Sequence, residues 1–409
     1  MRIGFVSTFP PIECGIATYT YDLENALRMQ NHETFIIAPP GAKGSNVHIA
    51  LSTNGAAPFA EQAFNVACTQ TPDCIHVQHE FGLYGAQRGV EIIGFLTRCS
   101  IAGIPTVTTL HTVNSDFPHT EREIIRRIAT ESRALIVHEP EQRRILHRFA
   151  PEAADRIHVI PHGVRNTAPI ARAKQKLGLS GKKVVLLCGY YRPSKGFHRA
   201  LNFMPDVFRQ FPDTLLVLAG KTRNAASDHY RQELVEQFRQ AGCSNRIRVF
   251  HGQFPQYTFD ALISAADVVA MPYERGAQSG IMAQCIAMET PVVASDLPAF
   301  VNAVGKTGAG LIASSDEAFS HQIIRLLSDS ALRKNTLKNI RRFKQRNAWV
   351  KIALQHESIY TGLLPAGTEY IYLPPPDAGG IPENIGLDTP DFSPRPSGGT
   401  SQRWRTAHD

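Results

Sequence analysis

Residues 182–196 read KKVVLLCGYYRPSKG, and this stretch decides how the chain is organised. Its apolar part is short and uninterrupted, as in a strand that is buried on both faces of a sheet. A glycine and a cationic loop follow it, and a stretch with helical spacing comes next at 199–211. Further strand-like runs then lie at 214–220 (TLLVLAG), 246–250 (RIRVF), 266–272 (ADVVAMP) and 291–295 (PVVAS). Strands that alternate with helices predict a parallel sheet with helices on both faces.

The first part of the chain has the same organisation. Its strand-like runs lie at 2–7, 33–38, 74–78, 106–110, 134–138 and 157–161, and its amphipathic stretches at 18–29, 88–99, 120–132 and 140–149. We therefore predict an α/β fold with two doubly wound domains that face each other across a cleft. Ligands of such sheets bind beyond the carboxyl ends of the strands.

Local composition sets the expected domain boundaries. Small and polar residues at 166–180 indicate a linker between a first domain at 1–165 and a second domain at 181–335. A long basic stretch of helical spacing at 331–363, which holds Trp349 and Tyr360, predicts a C-terminal helix that we place at 336–365. Residues 366–409 are rich in proline and glycine and have little apolar periodicity, which predicts a flexible tail.

Overall composition excludes several classes of protein. Of the 409 residues, 43% are hydrophobic and 19% charged, and the net charge is +7. This charge is small for a nucleic-acid-binding protein but suits an anionic small substrate or an acidic membrane surface. The seven scattered cysteines are odd in number and indicate free thiols in a reducing cytoplasm. The N-terminal residues read as a strand rather than a signal peptide, and no apolar run is long enough to cross a membrane.

Two residues of the first domain are candidates for a site. Gly15 stands where a loop with two prolines meets a helix, so that a phosphate or substrate can approach the backbone; a tight turn is the other interpretation. His111 directly follows the strand TVTTL and is well placed to face the cleft. We interpret His76 and His138 as hydrogen-bonded packing residues. The chain has no GxGxxG, which argues against a dinucleotide-dependent dehydrogenase, and no HExxH or paired Cys/His spacing for zinc.

The second domain offers cations and a helix start. Arg192 and Lys195 follow the strand at 182–189, and two such cations can neutralise a diphosphate leaving group; two solvated loop cations are the alternative. The stretch GAQSGIMAQCIAMETPVVASD at 276–296 places Gln278, Ser279 and Gly280 where a helix begins. Free N–H groups and a partial positive charge make a helix start suitable for an anion, although Ser and Gly also occur there as ordinary caps.

These motifs together resemble a known family. Residues 1–363 resemble a retaining glycosyltransferase of family 4, with the GT-B architecture of two Rossmann-like domains. The resemblance is carried by FVSTFPPIECGIATY, VTTLHT, HVIPHGV, RPSKG, AGKTR, ADVVAMPY and SGIMAQCIAMETPVVASDLP, in this order over some 300 residues.

The resemblance implies roles for the candidate residues. Gly15 would lie by the diphosphate and the acceptor, and His111 would hydrogen-bond the donor sugar. Lys195 would bind the diphosphate, and the amides of Ser279 and Gly280 would hold it at the helix start. The second domain would bind a GDP- or UDP-sugar, and the first a glycan, lipid-linked or small-molecule acceptor. The C-terminal helix would cross back to the first domain.

The sequence also departs from the family. The family usually has two glutamates eight positions apart, and the corresponding residues here are Gly276 and Gln284. Gln284 can still accept a hydrogen bond from the ribose, and Glu274 is a candidate substitute for the first glutamate. Tyr190 stands where the family has an arginine, with Arg192 nearby. The chain has no DxD motif, so we expect no metal ion and no other cofactor.

The expected function is transfer of a sugar with retention of configuration, by an enzyme of the cytoplasm. Six arginines on two neighbouring helices of the first domain (Arg122, Arg126, Arg127, Arg143, Arg144 and Arg148) suggest contact with the inner face of the membrane. Two alternatives stay open. One is a non-catalytic protein that binds a nucleotide sugar or a partner protein, which the two missing glutamates favour. The other is a sugar-nucleotide epimerase or a phosphorylase, for which we find no convincing acid/base pair of carboxylates.

Overall fold

A computed structural model describes residues 1–50, 59–222, 224–275 and 280–364 of the chain. Two parallel sheets form its framework. The first has strand order β3-β2-β1-β4-β5-β6-β7 and the second β10-β9-β8-β11-β12-β13. Both sheets lie within one compact unit. The prediction of two doubly wound α/β domains is confirmed.

The strands alternate with helices along the whole chain. The strands are β1 (Arg2–Val6), β2 (Glu33–Ala38), β3 (Val47–Ile49), β4 (Cys74–His79), β5 (Thr106–Leu110), β6 (Ala134–Val137), β7 (Ile157–Val159), β8 (Lys183–Cys188), β9 (Thr214–Gly220), β10 (Ile247–His251), β11 (Val268–Met271), β12 (Val292–Ser295) and β13 (Gly310–Ala313). The helices are α1 (Gly15–Arg28), α2 (Phe59–Gln70), α3 (Glu91–Ile101), α4 (His119–Glu131), α5 (Pro140–Phe149), α6 (Ala173–Lys176), α7 (Ala200–Gln210), α8 (Ala225–Gln240), α9 (Gln256–Ala265), α10 (Gly280–Ala287), α11 (Pro298–Phe300), α12 (Asp316–Ser328), α13 (Ser330–Arg346) and α14 (Trp349–Gly362).

The central strands could be predicted from the sequence because they are buried. β4, β5, β6, β8 and β9 are buried along almost their whole length, as sheets covered on both faces require. The prediction missed β3 and β13, of which β3 is a three-residue edge strand with no fully buried residue. The predicted linker at 166–180 lies between β7 and β8 and contains the short helix α6.

The C-terminal helix differs from the prediction. The stretch at 331–363 is two helices, α13 and α14, and Ala348 between them pairs with Val164. The Val164 N–H donates to the carbonyl of Asn347 at 2.8 Å, and the Trp349 N–H donates to the carbonyl of Val164 at 3.3 Å. α14 then packs on α1, and Trp349 and Tyr360 are buried in the core on that face of the first sheet. The predicted tail at 366–409 lies outside the described residues.

Candidate functional site

The site is built at the carboxyl edges of the two sheets, which are in contact. The loop between β1 and α1 carries Glu13, and its carboxylate pairs with Nζ of Lys221, the residue after β9. The hydroxyl of Tyr190, after β8, also donates to the carbonyl of Glu13 at 3.5 Å. A second contact lies further along the junction, where Asn302 donates to Glu139 at 3.1 Å. The loops that follow the strands of one sheet therefore face those of the other.

Local backbone geometry fixes the loop that carries the two predicted cations. Arg192 precedes a single turn of 3-10 helix, Pro193–Lys195, and Gly196 ends it with φ of 64°. A Cβ at position 196 would lie 1.9 Å from the carbonyl oxygen of Pro272, so no side chain is tolerated there. The loop after β11 is joined to this turn, since the N–H of Glu274 donates to the carbonyl of Ser194 at 3.0 Å.

Lys195 is the more buried of the two cations. Its Nζ lies 3.6 Å from the ring centroid of Tyr273. Burial, with a smaller contribution from the charge of Arg192, lowers the pKa of Lys195 to about 7. Arg192 is exposed. A bound anion would favour the charged form of Lys195 and offset this cost.

Glu274, the predicted substitute for the first family glutamate, lies beside the same turn. Its carboxylate is 3.1 Å from Nε2 of His198, and both side chains are close to half exposed. Gly280 is the first residue of α10, and among the described residues a Cβ there would meet no atom within 4 Å. Gln278 and Ser279, together with the slot of Gly276, lie outside the described residues, so their roles stay predictions.

Gln284 has a partner that the sequence did not reveal. Its Oε1 accepts a hydrogen bond from Nη2 of Arg165, and the same guanidinium holds both carboxylate oxygens of Asp260, at 2.5 and 3.1 Å. Gln256 also points its amide at this cluster, 2.9 Å from Asp260. The acceptor atom of Gln284 that was predicted for the ribose is therefore already engaged, and its ribose contact stays a prediction.

The glycine of the first domain lies in open space. Gly15 is the first residue of α1, and a Cβ there would meet no atom within 4 Å in the part of the chain that the structure describes. Packing of the described residues therefore does not demand a glycine at this position, and both interpretations of Gly15 stay open. The residue before it, Cys14, caps α1 through its Sγ, which accepts from the N–H of Ala17 at 3.2 Å.

His111 directly follows β5, as predicted, but its ring is held inside the first domain. Its Nε2 is 2.8 Å from the amide Oε1 of Gln78, and its Nδ1 is 3.3 Å from Nε2 of His138. The ring of Tyr19 packs edge-on against it. Burial and the neighbouring histidines hold the pKa of His111 well below its usual range. His76 and His138, interpreted as packing residues, are buried and hydrogen-bonded.

Sequence reasoning missed several residues at this junction. Lys221 could have been found from the sequence, because it directly follows the apolar strand β9, and Arg192 and Lys195 lie in the loop after β8. No local sequence pattern marks Arg165, Asp260 or Gln78, since their roles depend on partners far away in the sequence.

A cavity of about 90 Å³ lies between the two halves. The first half lines it with Glu139, Pro161, His162 and Val164, and the second half with Met282, Ala283, Ile286, Ala299, Phe300, Asn302, Ala303 and Phe343.

Two facing sheets of this strand order, with cations at the carboxyl edge of the second, define a protein of the GT-B class. The model of Glycosyltransferase Family 4 matches residues 14–167, and that of Glycosyl transferases group 1 matches residues 169–343. The two matches together span both sheets, and the chain belongs to this family of glycosyltransferases. Its reaction is the transfer of a sugar from a nucleotide sugar.

Named relatives and solved structures agree with this assignment. The chain is 25% identical over 392 residues to the phosphatidyl-myo-inositol mannosyltransferase of Mycobacterium leprae. The alignment covers 90% of this chain and 99% of the relative. It is 26% identical over 293 residues to the D-inositol 3-phosphate glycosyltransferase of Corynebacterium glutamicum, over 66% of this chain and 69% of the relative. The structure of Anabaena HepE in complex with UDP superimposes with a TM-score of 0.71 at 16% identity, over 88% of this chain and 100% of that one. This last likeness establishes the fold.

Proposed function

We propose that this protein is a retaining hexosyltransferase that needs no metal ion. The observation that carries the proposal is the group of cations beyond the second sheet, where Arg192 and Lys195 follow β8 and Lys221 follows β9. Cations fixed at such an edge stabilise the negative charge that develops on a departing diphosphate. The retaining stereochemistry is inferred from the family resemblance, and independence from metal from the lack of a DxD motif.

The proposed reaction assigns a task to each half. The bond between the anomeric carbon and the diphosphate oxygen breaks, the acceptor hydroxyl oxygen bonds to that carbon, and the hydroxyl proton passes to the departing diphosphate. Lys195 and Arg192 hold the diphosphate, together with the amides at the start of α10. His111 borders the transferred sugar from the facing sheet. Glu274, positioned by His198, serves the sugar in place of the missing family glutamate.

The relatives suggest the chemistry of the acceptor. Two of them are named for transfer to phosphatidyl-inositol or to inositol phosphate. We therefore propose a polyol hydroxyl, carried by a lipid or a phosphate, as the acceptor in the first half, with UDP or GDP as the nucleotide of the donor. Within the described residues, no helix is both long and apolar enough to cross a bilayer. Access to a lipid-borne acceptor would then use the arginines of α4 and α5 as a peripheral contact.

A thermal-shift screen with UDP-, GDP- and ADP-sugars tests the donor site. A ligand at one hundred times its dissociation constant should stabilise the fold by about 2.7 kcal/mol. Lys195→Ala should weaken binding of the identified nucleotide by about 1.5–3 kcal/mol, the worth of a charge-assisted contact. Lys182→Ala is the matched control, because Lys182 lies before the opposite end of β8. Equal affinities of both variants and the wild type would remove Lys195 from the site. NMR of the first-formed product then reads the anomeric configuration, and an inverted product would refute retention.

A non-catalytic nucleotide-sugar-binding protein is the second candidate. The observation in its favour is that the family's two carboxylates are replaced, and that Arg165 already engages the amide oxygen of Gln284. Slow hydrolysis of the donor by purified protein separates the two functions. An enzyme releases the nucleoside diphosphate, and Lys195→Ala suppresses that release, whereas a binding protein shows the same thermal shift without turnover.

A further inference from the structure

A chain of buried polar side chains runs from the C-terminal helix to His111. The hydroxyl of Tyr360, on α14, lies 2.7 Å from Nδ1 of His76. Nε2 of His76 lies 3.2 Å from the amide nitrogen of Gln78, whose amide oxygen lies 2.8 Å from Nε2 of His111. Nδ1 of His111 lies 3.3 Å from Nε2 of His138. Tyr360, His76, Gln78 and His138 are all buried, so water does not complete these contacts.

The far end of this chain fixes the positions of the protons. Nδ1 of His138 lies 3.0 Å from the carbonyl oxygen of Ile160, which can only accept, so this nitrogen carries a proton. Burial lowers the pKa of His138 to about 3, so the ring is neutral and its Nε2 is an acceptor. Nδ1 of His111 must then donate to it. Since His111 is neutral for the same reason, its own Nε2 is left as an acceptor.

An acceptor at Nε2 of His111 requires a donor from Gln78. The nitrogen and oxygen of a glutamine amide exchange places by a half-turn of the amide group, with no change in shape. After that half-turn the amide N–H donates to His111 and the amide oxygen accepts from Nε2 of His76. His76 then accepts at Nδ1 from the hydroxyl of Tyr360. The hydroxyl oxygen of Thr109 lies 2.7 Å from Nε2 of His76 and also accepts from that N–H. Every contact then pairs a donor with an acceptor, and every ring is neutral.

The opposite orientation of the amide leaves a conflict. If the amide oxygen of Gln78 faces Nε2 of His111, that nitrogen carries the proton and Nδ1 becomes an acceptor. Two acceptors, Nδ1 of His111 and Nε2 of His138, would then face each other at 3.3 Å. Relief would require a positive charge on a buried ring among four other histidines, which is costly.

We propose that Gln78 and His138 are positioning residues that hold His111 as the neutral Nδ1–H tautomer, with Gln78 turned so that its amide N–H faces His111. Both act through His111. The role of His111 at the transferred sugar rests on the proposed function, but its tautomer does not. A ring that is fixed at both nitrogens keeps one orientation and stays uncharged beside the departing diphosphate.

Long-range ¹H–¹⁵N correlation spectra of the full chain, labelled at histidine, test the tautomer directly. The signals of His111 are assigned by their loss in His111→Gln. We expect the Nδ1–H pattern, unchanged from pH 5.5 to 9. An Nε2–H pattern, or titration of His111 in that range, would overturn the proposal. This reading needs neither activity nor a variant at Gln78, so it stands apart from the test of glycosyl transfer.

Gln78→Glu tests the positioning role. A carboxylate can only accept, so it should impose the Nε2–H tautomer and make His111 titratable. The kcat/KM for the donor should fall on the order of tenfold to a hundredfold, and its pH profile should gain an ionisation. Gln142→Glu is the matched control, because Gln142 is also buried but meets only backbone atoms of these histidines. Its Oε1 accepts from the N–H of His138 at 2.9 Å, and its Nε2 donates to the carbonyl of His111 at 3.4 Å. A purely structural Gln78 would lower the melting temperature and leave the pH profile and the His111 signals as in the wild type, which would refute the assignment.

Tyr360→Phe gives a second, milder variant. Loss of its hydroxyl should shift the ring signals of His76 while His111 keeps its tautomer. Tyr191→Phe is the matched control, since Tyr191 is equally buried and its hydroxyl has no hydrogen-bond partner among the described residues. It should leave the signals of His76 unchanged. If Tyr360→Phe also leaves the ring signals of His76 unchanged, the hydroxyl of Tyr360 does not hydrogen-bond to His76.

Discussion

The carboxylate of Glu13 forms an ion pair with Nζ of Lys221 across the two halves of the protein. Glu13 belongs to the loop that precedes α1, and Lys221 follows β9 at the edge that also carries Lys195. The Lys221 carbonyl accepts from the N–H of Tyr191 at 3.2 Å, which joins it to the loop of Arg192 and Lys195. A diphosphate bound at this edge would compete with Glu13 for Lys221.

Removal of that carboxylate should tighten binding of a nucleoside diphosphate. A partly exposed ion pair is worth about 0.5–1 kcal/mol, so Glu13→Gln should lower the dissociation constant about twofold to fivefold. Glu33→Gln is the control, because Glu33 pairs with Arg2 at the opposite edge of the same sheet. Calorimetric titration at low salt measures both. Weaker binding by Glu13→Gln would mean that Glu13 supports the donor site instead of competing with the donor.

The pKa of Lys195 predicts that donor affinity falls as pH rises above about 7. In the free protein this pKa is lowered to about 7 by burial and by Arg192. A diphosphate raises it by favouring the charged form, so above pH 7 binding must take up a proton, and below pH 7 the proton is already present. The dissociation constant should therefore rise by up to about tenfold per pH unit above 7.

Calorimetry between pH 6 and 9, in buffers of different ionisation enthalpy, measures both the affinity and the proton uptake. Lys195→Arg is the control, because an arginine keeps its charge throughout this range and should give a flat profile. A wild-type profile as flat as that of the variant would show that Lys195 does not meet the phosphates.

Breaking the pair between Arg165 and Asp260 should destabilise the fold strongly. Asp260 is only 6% exposed, and the guanidinium of Arg165 satisfies both of its carboxylate oxygens. Arg165→Met leaves a buried carboxylate without its partner, and loss of one member of such a pair costs about 3–5 kcal/mol. The double variant Arg165→Met/Asp260→Asn should recover part of this loss. Denaturant unfolding measures the free energies.

The same variant also tests Gln284. Without Arg165 the amide oxygen of Gln284 is no longer engaged, so nucleotide affinity should rise, although stability falls, if that oxygen reaches the ribose. Arg127→Met is the control, because Arg127 pairs with Glu123 on the exposed face of α4, and its loss should change stability by less than about 0.5 kcal/mol. A similarly small loss for Arg165→Met would mean that Asp260 is adequately solvated without it.

The arginines of α4 and α5 predict binding to anionic lipid. All six are exposed, but Arg126, Arg127 and Arg144 pair with glutamates of their own surface. Of the other three, Arg122 donates to the backbone carbonyls of Phe117 and Ser115. We therefore assign the larger share of the attraction to Arg143 and Arg148. Arg143→Glu/Arg148→Glu should reduce flotation with anionic vesicles at low salt, and high salt should abolish flotation of the wild type. Lys334→Glu/Lys338→Glu on α13 makes the same charge change elsewhere. Equal recovery of the wild type with neutral and anionic vesicles would refute membrane contact.

The buried framework of this fold could be read from the sequence because it depends on local patterns. An uninterrupted apolar run such as TLLVLAG fits a strand covered on both faces, and β9 has those bounds in the structure. β3 was not predicted, because it is an edge strand in which only three residues pair. The break between α13 and α14 was not predicted, because the pairing of Ala348 with Val164 found there joins residues far apart in the sequence.

In the candidate site, as in the fold, the features that depend on local sequence patterns were predictable and the long-range contacts were not. His111, Arg192 and Lys195 follow strands, and parallel strands end at a common edge, so their neighbourhood was predictable. Their partners were not. Gln284 meets Arg165, which is 119 residues away in the sequence, and His111 meets Gln78, which is 33 residues away. Contacts of that kind leave no local pattern, because they depend on how separate elements pack.

The position of α14 also has a consequence for synthesis of the protein. Trp349, Ile352, Ala353 and Tyr360 belong to the same buried cluster as Ile3, Phe5, Tyr19 and Leu23, near the other end of the chain. A ribosome makes the N-terminal half first, and that half exposes an unfilled apolar face until residue 360 has left the exit tunnel. The nascent first domain therefore waits for the whole second domain to be translated before its hydrophobic core is complete. This delay makes the growing chain a natural client for chaperones that shield apolar surfaces.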